Sequence, residues 1–129
     1  MSGPEEPSLS GLKILVAEDE SVIAYDLMSA LERFGCEVLG PVKRVEEVVS
    51  IVRASRIDGA LLDVNLRGRR IFDVLPSVLA RGVKVVLTSG YAETLFPSEY
   101  RSLPRLSKPF DERSLRRVCA ENFASRRAD

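Results

Sequence analysis

Five polar side chains draw attention because each stands at the end of a short apolar run. Glu18 and Asp19 follow Leu12 to Ala17, Asp63 follows Ala60-Leu61-Leu62, Thr88 follows Val83 to Leu87, and Lys108 follows Leu103 to Leu106. Three carboxylates gathered in one small volume repel one another unless a cation sits between them. A hard divalent ion suits such a place, and Mg²⁺ is commonly held by one or two carboxylates plus a phosphate oxygen. Thr88 adds a hydroxyl donor, and Lys108 adds an ammonium that pairs with phosphoryl oxygens as a point charge. A carboxylate, a hydroxyl, an ammonium and a magnesium site together suit phosphoryl transfer to an aspartate. Each residue also has a plainer reading. Asp19 can cap the helix that follows it, Asp63 can form a turn, Thr88 can bond to backbone, and Lys108 before Pro109 can be a solvated lysine. To remove the chemistry, all of these plainer readings would have to hold at once.

The elements that must position these groups are readable in outline. Leu12 to Ala17 is a nearly continuous apolar run, as expected of a strand buried on both faces of a parallel sheet. Val22, Ile23, Leu27, Met28, Leu31 and Phe34 recur at helical spacing up to Gly35, a good C-terminal stop. Cys36 to Leu39 reads as a second strand closed by Gly40-Pro41, and Val45, Val48, Val49 and Val52 mark a second helix. Residues 60–63 form a third strand, 65–70 a Gly- and Arg-rich loop, and 71–80 a third helix. Val83 to Leu87 is a fourth strand, after which the pattern blurs through Pro97 and Tyr100, so a fourth helix there would be short or irregular. Residues 103–106 read as a weak, edge-like fifth strand because of Pro104. Asp111 is placed to cap a last helix carrying Leu115, Val118, Cys119 and Phe123. Strands alternating with helices predict an α/β fold, a doubly wound five-stranded parallel sheet with helices on both faces. Ligands in such sheets bind outside the carboxyl ends of the strands, where the five polar residues stand.

The 129 residues, 45% of them hydrophobic, suit one globular domain. The expected organisation is a flexible tail over 1–10, the domain over 11–124 and a frayed tail over 125–129. The 19 basic residues balance 19 acidic ones, which argues against nucleic acid or an anionic membrane as partner. The balance hides an asymmetry: residues 1–64 carry 6 basic and 12 acidic side chains, and residues 65–129 carry 13 and 7. Cys36 and Cys119 lie far apart, and with no histidine in the chain a sulfur-bound zinc is not expected. No stretch has the apolar length of a membrane span or the h-region of a signal peptide, so a soluble cytoplasmic protein is expected.

Four blocks carry a resemblance to a known family. Ile14-Leu15-Val16-Ala17-Glu18-Asp19-Glu20, Leu61-Leu62-Asp63-Val64-Asn65, Leu87-Thr88-Ser89 and Ser107-Lys108-Pro109-Phe110 are similar, in this order, to the signature blocks of response-regulator receiver domains. The likeness spans about residues 12–124 and implies the flavodoxin-like strand order 2-1-3-4-5. It also implies roles. Asp63 resembles the phosphoacceptor, Glu18 and Asp19 the acidic metal pair that with Asp63 holds Mg²⁺, and Asn65 the residue whose backbone carbonyl joins the metal shell. Thr88 resembles the hydroxyl that moves toward the phosphoryl group, Lys108 the lysine that contacts it, and Pro109 a position that often follows a cis peptide. One departure stands out: most receivers carry Tyr or Phe three residues before the lysine as a rotating switch, and this chain has Arg105. Leu87-Thr88-Ser89-Gly90-Tyr91 is similar to an alphaproteobacterial subgroup of single-domain receivers that lacks the aromatic and carries a Thr-Gly-Gly-Tyr-like motif. There Thr88, Gly90 and Tyr91 would form the switch.

The expected function is a single-domain response regulator that takes a phosphoryl group from a partner phosphohistidine onto Asp63 with Mg²⁺. The chain has no histidine of its own, so the donor would be a sensor histidine kinase or a histidine phosphotransfer protein. Output would be by contact with a downstream protein, through the basic surface of Arg101, Arg105, Arg113, Arg116 and Arg117. Arg67, Arg69 and Arg70 would help dock the donor. The domain would not be an enzyme toward a free substrate, contributing catalysis only to its own phosphorylation and dephosphorylation. Two other readings remain open: a phosphorylation-independent receiver-like adaptor, and a small Mg²⁺-dependent phosphatase with an aspartate nucleophile. The phosphatase would want an acid two residues after Asp63, where this chain has Asn65.

Overall fold

In the computed structural model, which describes residues 8–90 and 96–124, five strands form one parallel sheet. In chain order the elements are β1 (Lys13–Ala17), α1 (Ser21–Arg33), β2 (Glu37–Val42), α2 (Val45–Ala54), β3 (Gly59–Asp63), β4 (Asn65–Leu66) and β5 (Arg69–Arg70). A 3-10 turn (Ile71–Asp73), α3 (Leu75–Ala80), β6 (Lys84–Ser89), a second 3-10 turn (Ser98–Tyr100), β7 (Arg105–Ser107) and α4 (Glu112–Phe123) complete them. The sheet order is β2-β1-β3-β6-β7, which is 2-1-3-4-5 when the sheet's own strands are counted alone. It is the flavodoxin-like order that the resemblance implied.

Alternate residues of the central strands feed two separate cores, the consequence of the two-residue period of a strand. Leu15, Ala60, Leu62, Val85 and Leu87 pack against Val45, Val48 and Val52 of α2 and Leu75 and Val78 of α3. Ile14, Val16, Leu61 and Val86 face the other way, onto Leu27 and Leu31 of α1 and Leu115, Cys119 and Phe123 of α4. Burial on both faces is why these strands read as unbroken apolar runs. Each large side chain buried this way contributes about 1.5–3 kcal/mol.

Cap chemistry sets the helix ends. The N–H of Gly35 reaches the Glu32 carbonyl and that of Cys36 the Leu31 carbonyl, both at 3.0 Å, the paired closure of a Schellman ending. Asp111 caps α4, its Oδ1 accepting the Ser114 N–H at 2.8 Å.

Several expectations are corrected. The second strand does not close at Gly40-Pro41 but runs on to Val42, and the Gly40–Pro41 peptide is cis. Gly40 has φ +114°, and a Cβ there would sit 2.5 Å from the Val16 carbonyl oxygen. The register slips between Leu15 and Ala17 and pairing resumes at Ala17 with Val42. Proline is accommodated because β2 is an edge strand. The loop over 65–70 contains a two-stranded antiparallel hairpin, β4 with β5. The third helix is split: Pro76 has no N–H to offer the Phe72 carbonyl, so a 3-10 turn precedes α3. After β6, the described residues show the 3-10 turn at 98–100, and residues 91–95 lie outside the description. Leu9, assigned to the N-terminal tail, is 3% exposed and packs in the core with α1 and α4. Its apolar side chain belongs there rather than with its polar neighbours. The remaining tail residues, 1–7 and 125–129, fall outside the described residues.

Candidate functional site

The strand register gathers the five polar residues. Ala17 pairs with Leu62, Asp63 with Thr88, and Ser89 with Ser107, so the residues at or just beyond these strand ends share one end of the sheet. Lys108 follows β7 and is held there by its own N–H, which donates to the Ser89 carbonyl at 2.8 Å. The Lys108–Pro109 peptide is cis.

Lys108 Nζ donates a hydrogen bond of 2.8 Å to Asp63 Oδ2 and forms an ion pair of 2.7 Å with Glu18 Oε1. Glu18 is fully buried, and its other oxygen accepts the Glu20 N–H at 3.0 Å. Asp63 is 6% exposed, and its Oδ1 accepts the Asn65 N–H at 3.2 Å. Asp19 is half-buried, and its Oδ2 accepts the Arg67 N–H at 2.9 Å. One ligand oxygen from each of Glu18, Asp19 and Asp63 lies within 4.8 Å of the others.

The electrostatics follow from this crowding. Burial lifts the Glu18 carboxyl above its ordinary 4.5, against the downward pull of Lys108 and the Glu20 N–H. Burial alone would lower the Lys108 ammonium, but its bonds to Asp63 and Glu18 outweigh that and hold it above 10.5. With Lys108 charged and the three carboxylates ionised, two negative charges remain in excess. A hard dication bound by oxygen cancels that excess, so the donor set fits Mg²⁺ in charge and in chemistry.

Thr88 lies one strand over, paired in register with Asp63, and is 1% exposed. Its Oγ1 is buried and has no hydrogen-bond partner among the described residues. A buried hydroxyl without a partner is uncommon and calls for a reason. An anionic group carried by Asp63 is an acceptor that could supply one. Gly90 follows β6 and is partly buried; Tyr91, the third expected switch residue, lies outside the described residues.

Two features escaped sequence reasoning. The first is the β4–β5 hairpin, which leans over the acidic cluster. Arg67 sits at its turn with φ +50°, an uncommon conformation for a non-glycine residue, and its N–H is the one on Asp19. Arg69 links the hairpin to Glu46 of α2 at 3.6 Å and to Asp73 at 3.7 Å. The second is an aromatic cluster beneath Arg105. The Arg105 guanidinium lies 3.9 Å from the Phe96 ring centre. Phe96 meets Phe72 edge-on at 5.3 Å, and Phe72 stacks on Tyr100 at 5.7 Å. Arg105 also donates to the Arg101 carbonyl at 2.8 Å. The only available signal was the odd arginine at 105; its ring partner is nine residues away and follows no period.

An Asp at the end of a central parallel strand, with a half-buried lysine on it and two further acids beside it, defines a receiver-like α/β domain. Known proteins agree. No family model matches the chain. SdrG from Sphingomonas melonis Fr1 superposes with a TM-score of 0.77 at 33% identity, over 88% of this chain and 96% of SdrG. A solution structure titled as the BeF3-activated conformation of SdrG, from Pseudomonas melonis Fr1, gives 0.74 at 34% identity, over 86% and 96%. A response regulator receiver protein from Sinorhizobium medicae shares the fold, with a TM-score of 0.73 at 24% identity over 88% and 95%. Among curated sequences, the transcriptional regulatory protein PdtaR of Mycobacterium tuberculosis is 28% identical over 93 residues. That match covers 69% of this chain and 45% of PdtaR, so the chain spans less than half the length of that relative. The chain belongs to the response-regulator receiver-domain family of two-component signalling. No helix among its described residues is long and apolar enough to cross a membrane.

Proposed function

We propose that this domain accepts a phosphoryl group on Asp63 from a phosphohistidine of a partner kinase or phosphotransfer protein, with Mg²⁺ held by Glu18, Asp19, Asp63 and the Asn65 carbonyl. The observation that carries the reading is the position of Lys108 Nζ, 2.8 Å from Asp63 Oδ2 and 2.7 Å from Glu18 Oε1. When bound, Mg²⁺ supplies positive charge against the developing charge on the phosphoryl oxygens.

The chain's own residues do the rest. The Asn65 N–H holds Asp63 Oδ1, leaving Oδ2 as the nucleophilic oxygen once Lys108 turns from it toward the incoming phosphoryl group. Oδ2 attacks phosphorus as the bond from phosphorus to the donor imidazole nitrogen breaks, and the imidazole leaves with the electron pair. The product is an acyl phosphate. Lys108 then pairs with a phosphoryl oxygen, and Thr88, whose hydroxyl is otherwise without an acceptor among the described residues, donates to another. Hydrolysis in the same pocket returns the carboxylate, so the catalysis serves the domain's own phosphorylation state and no free substrate.

Partner docking has support at the mouth of the site. A mainly apolar cleft lined by Ile23, Gly90, Pro109 and Phe110 opens beside Lys108. Val22 and Tyr25 of α1 are 75% and 71% exposed. Exposed apolar side chains beside a reactive group suit a protein that must bring its histidine to Asp63. The added charge near −2 is then read through Thr88, Gly90 and Tyr91, and output goes to a downstream protein in the cytoplasm rather than to nucleic acid or a membrane. BeF3⁻, a phosphoryl mimic, tests the site: with Mg²⁺ it should shift the amide resonances of Asp63, Thr88 and Lys108 in wild type and leave Asp63→Asn unchanged. Equal shifts in both proteins would remove Asp63 from the role.

A further inference from the structure

A cleft of about 560 Å³ lies at the other end of the sheet, beyond the N-terminal ends of β3 and β6, and is independent of the phosphoacceptor site. Asp58 and Lys84 mark its position, since Gly59 pairs with Lys84 where Asp63 pairs with Thr88. Four residue steps of strand, about 13 Å, therefore separate it from Asp63.

Its charge is one-sided. Arg53, Arg56, Arg81 and Lys84 line it, against the single carboxylate of Asp58. Among the described residues none of the four cations has an ion pair or hydrogen bond. Asp58 does have one, because its Oδ2 accepts the Lys13 N–H at 2.8 Å. Both α2, ending at Ala54, and α3, ending at Ala80, point their C-termini this way, and each brings at most about half a negative charge. After Asp58 and the two helix ends, about two positive charges remain in excess. Arg53 sits in the last turn of α2 and Lys84 opens β6, while Arg56 and Arg81 lie in the short connections that follow α2 and α3, and the buried Phe123 lines the cleft with them. Three of the four are arginines, whose planar forks match phosphate oxygens in pairs.

We propose that this cleft binds a small polyanion of the diphosphate class, held by Arg53, Arg56, Arg81 and Lys84. Its size is within the range of small-molecule sites. Its charge excess matches a ligand of two or more negative charges better than a single carboxylate.

The test is ¹⁵N-labelled protein titrated with inorganic pyrophosphate in EDTA at constant ionic strength, with NaCl and a hexaglutamate peptide as parallel probes. The expected result is saturable shifts confined to the amides of residues 53–58 and 81–84. They should weaken tenfold or more in Arg56→Gln/Lys84→Gln and, separately, in Arg53→Gln/Arg81→Gln. The spectrum of each variant reports whether it is folded. Shifts that follow ionic strength as they do in NaCl would mean a solvated basic face and overturn the proposal. Saturation by hexaglutamate alone would overturn it too, assigning the cleft to an acidic protein segment.

Discussion

Lys108 Nζ stands 2.8 Å from Asp63 Oδ2 although the two residues are 45 positions apart in the chain. The contact exists because β3 and β7 both border β6, and because the Ser89 carbonyl anchors the Lys108 N–H. The same ammonium neutralises Glu18, which at 0% exposure has no other cation against it among the described residues. Lys108 thus has two duties, one observed and one proposed: it holds two buried acids together at rest, and in the proposed reaction it meets the phosphoryl group.

The first duty predicts a stability effect. Lys108→Met leaves Glu18 and Asp63 facing each other without their shared counter-charge, and breaking a buried pair from one side costs on the order of 3 kcal/mol. Urea unfolding in EDTA at pH 7 measures it. Saturating Mg²⁺ should recover part of the loss, since the dication replaces the missing charge.

Metal binding separates charge from structure at Asp19. Asp19→Asn keeps an oxygen to accept the Arg67 N–H, which donates to Asp19 Oδ2 at 2.9 Å in the wild type, while removing one negative charge. Mg²⁺ affinity should fall at least tenfold with the fold intact. In the wild type, free Mg²⁺ a hundredfold above Kd should stabilise the domain by about 2.7 kcal/mol, and the variant at the same concentration by clearly less. Thermal unfolding with and without Mg²⁺ reads both.

Packing at the base of β3 is tight enough to make a small change costly. A Cβ on Gly59 would lie 2.5 Å from Cδ1 of Phe123, itself 1% exposed. Gly59→Ala should cost about 1–3 kcal/mol by overpacking. Gly59→Ala/Phe123→Leu should cost less than the sum of its parts, because the smaller side chain vacates the contested space.

Burial pushes the Cys119 thiol up to about 12 from 9.0, with the nearby Cys36 adding to it. Both cysteines are free and buried. A folded value above the unfolded one means the contribution to stability is complete below pH 9 and fades as pH rises toward 12. The advantage of wild type over Cys119→Ala should therefore narrow above pH 9. At pH 8 an aromatic disulfide reagent should label Cys119 only as fast as the protein unfolds.

Much of this was legible in the chain, for identifiable reasons. Strands buried on both faces must be apolar throughout, so β1, β3 and β6 announced themselves, and the polar residue closing each run pointed to the site. Lys108 was legible as a strand-end residue, but its ion pair with Glu18 was not, because nothing local says that Glu18 is fully buried. Gly40-Pro41 reads as a break, and only the edge position of β2 lets the strand pass through it. The hairpin of β4 and β5 is two residues a side, too short to show a period. The stack of Arg105 on Phe96 joins segments with no shared pattern, so the aromatic cluster of Phe72, Phe96 and Tyr100 came only from the tertiary structure.

Asp63 is the proposed phosphoacceptor, and intact mass tests that role most directly. Wild type and Asp63→Asn are incubated with Mg²⁺ and acetyl phosphate, then weighed. The prediction is a gain of one phosphoryl group in wild type, reversed by hydroxylamine as an acyl phosphate must be, with no gain in Asp63→Asn and none in wild type under EDTA. A folded, Mg²⁺-binding wild type that gains no mass, or an Asp63→Asn that gains as much, would contradict it.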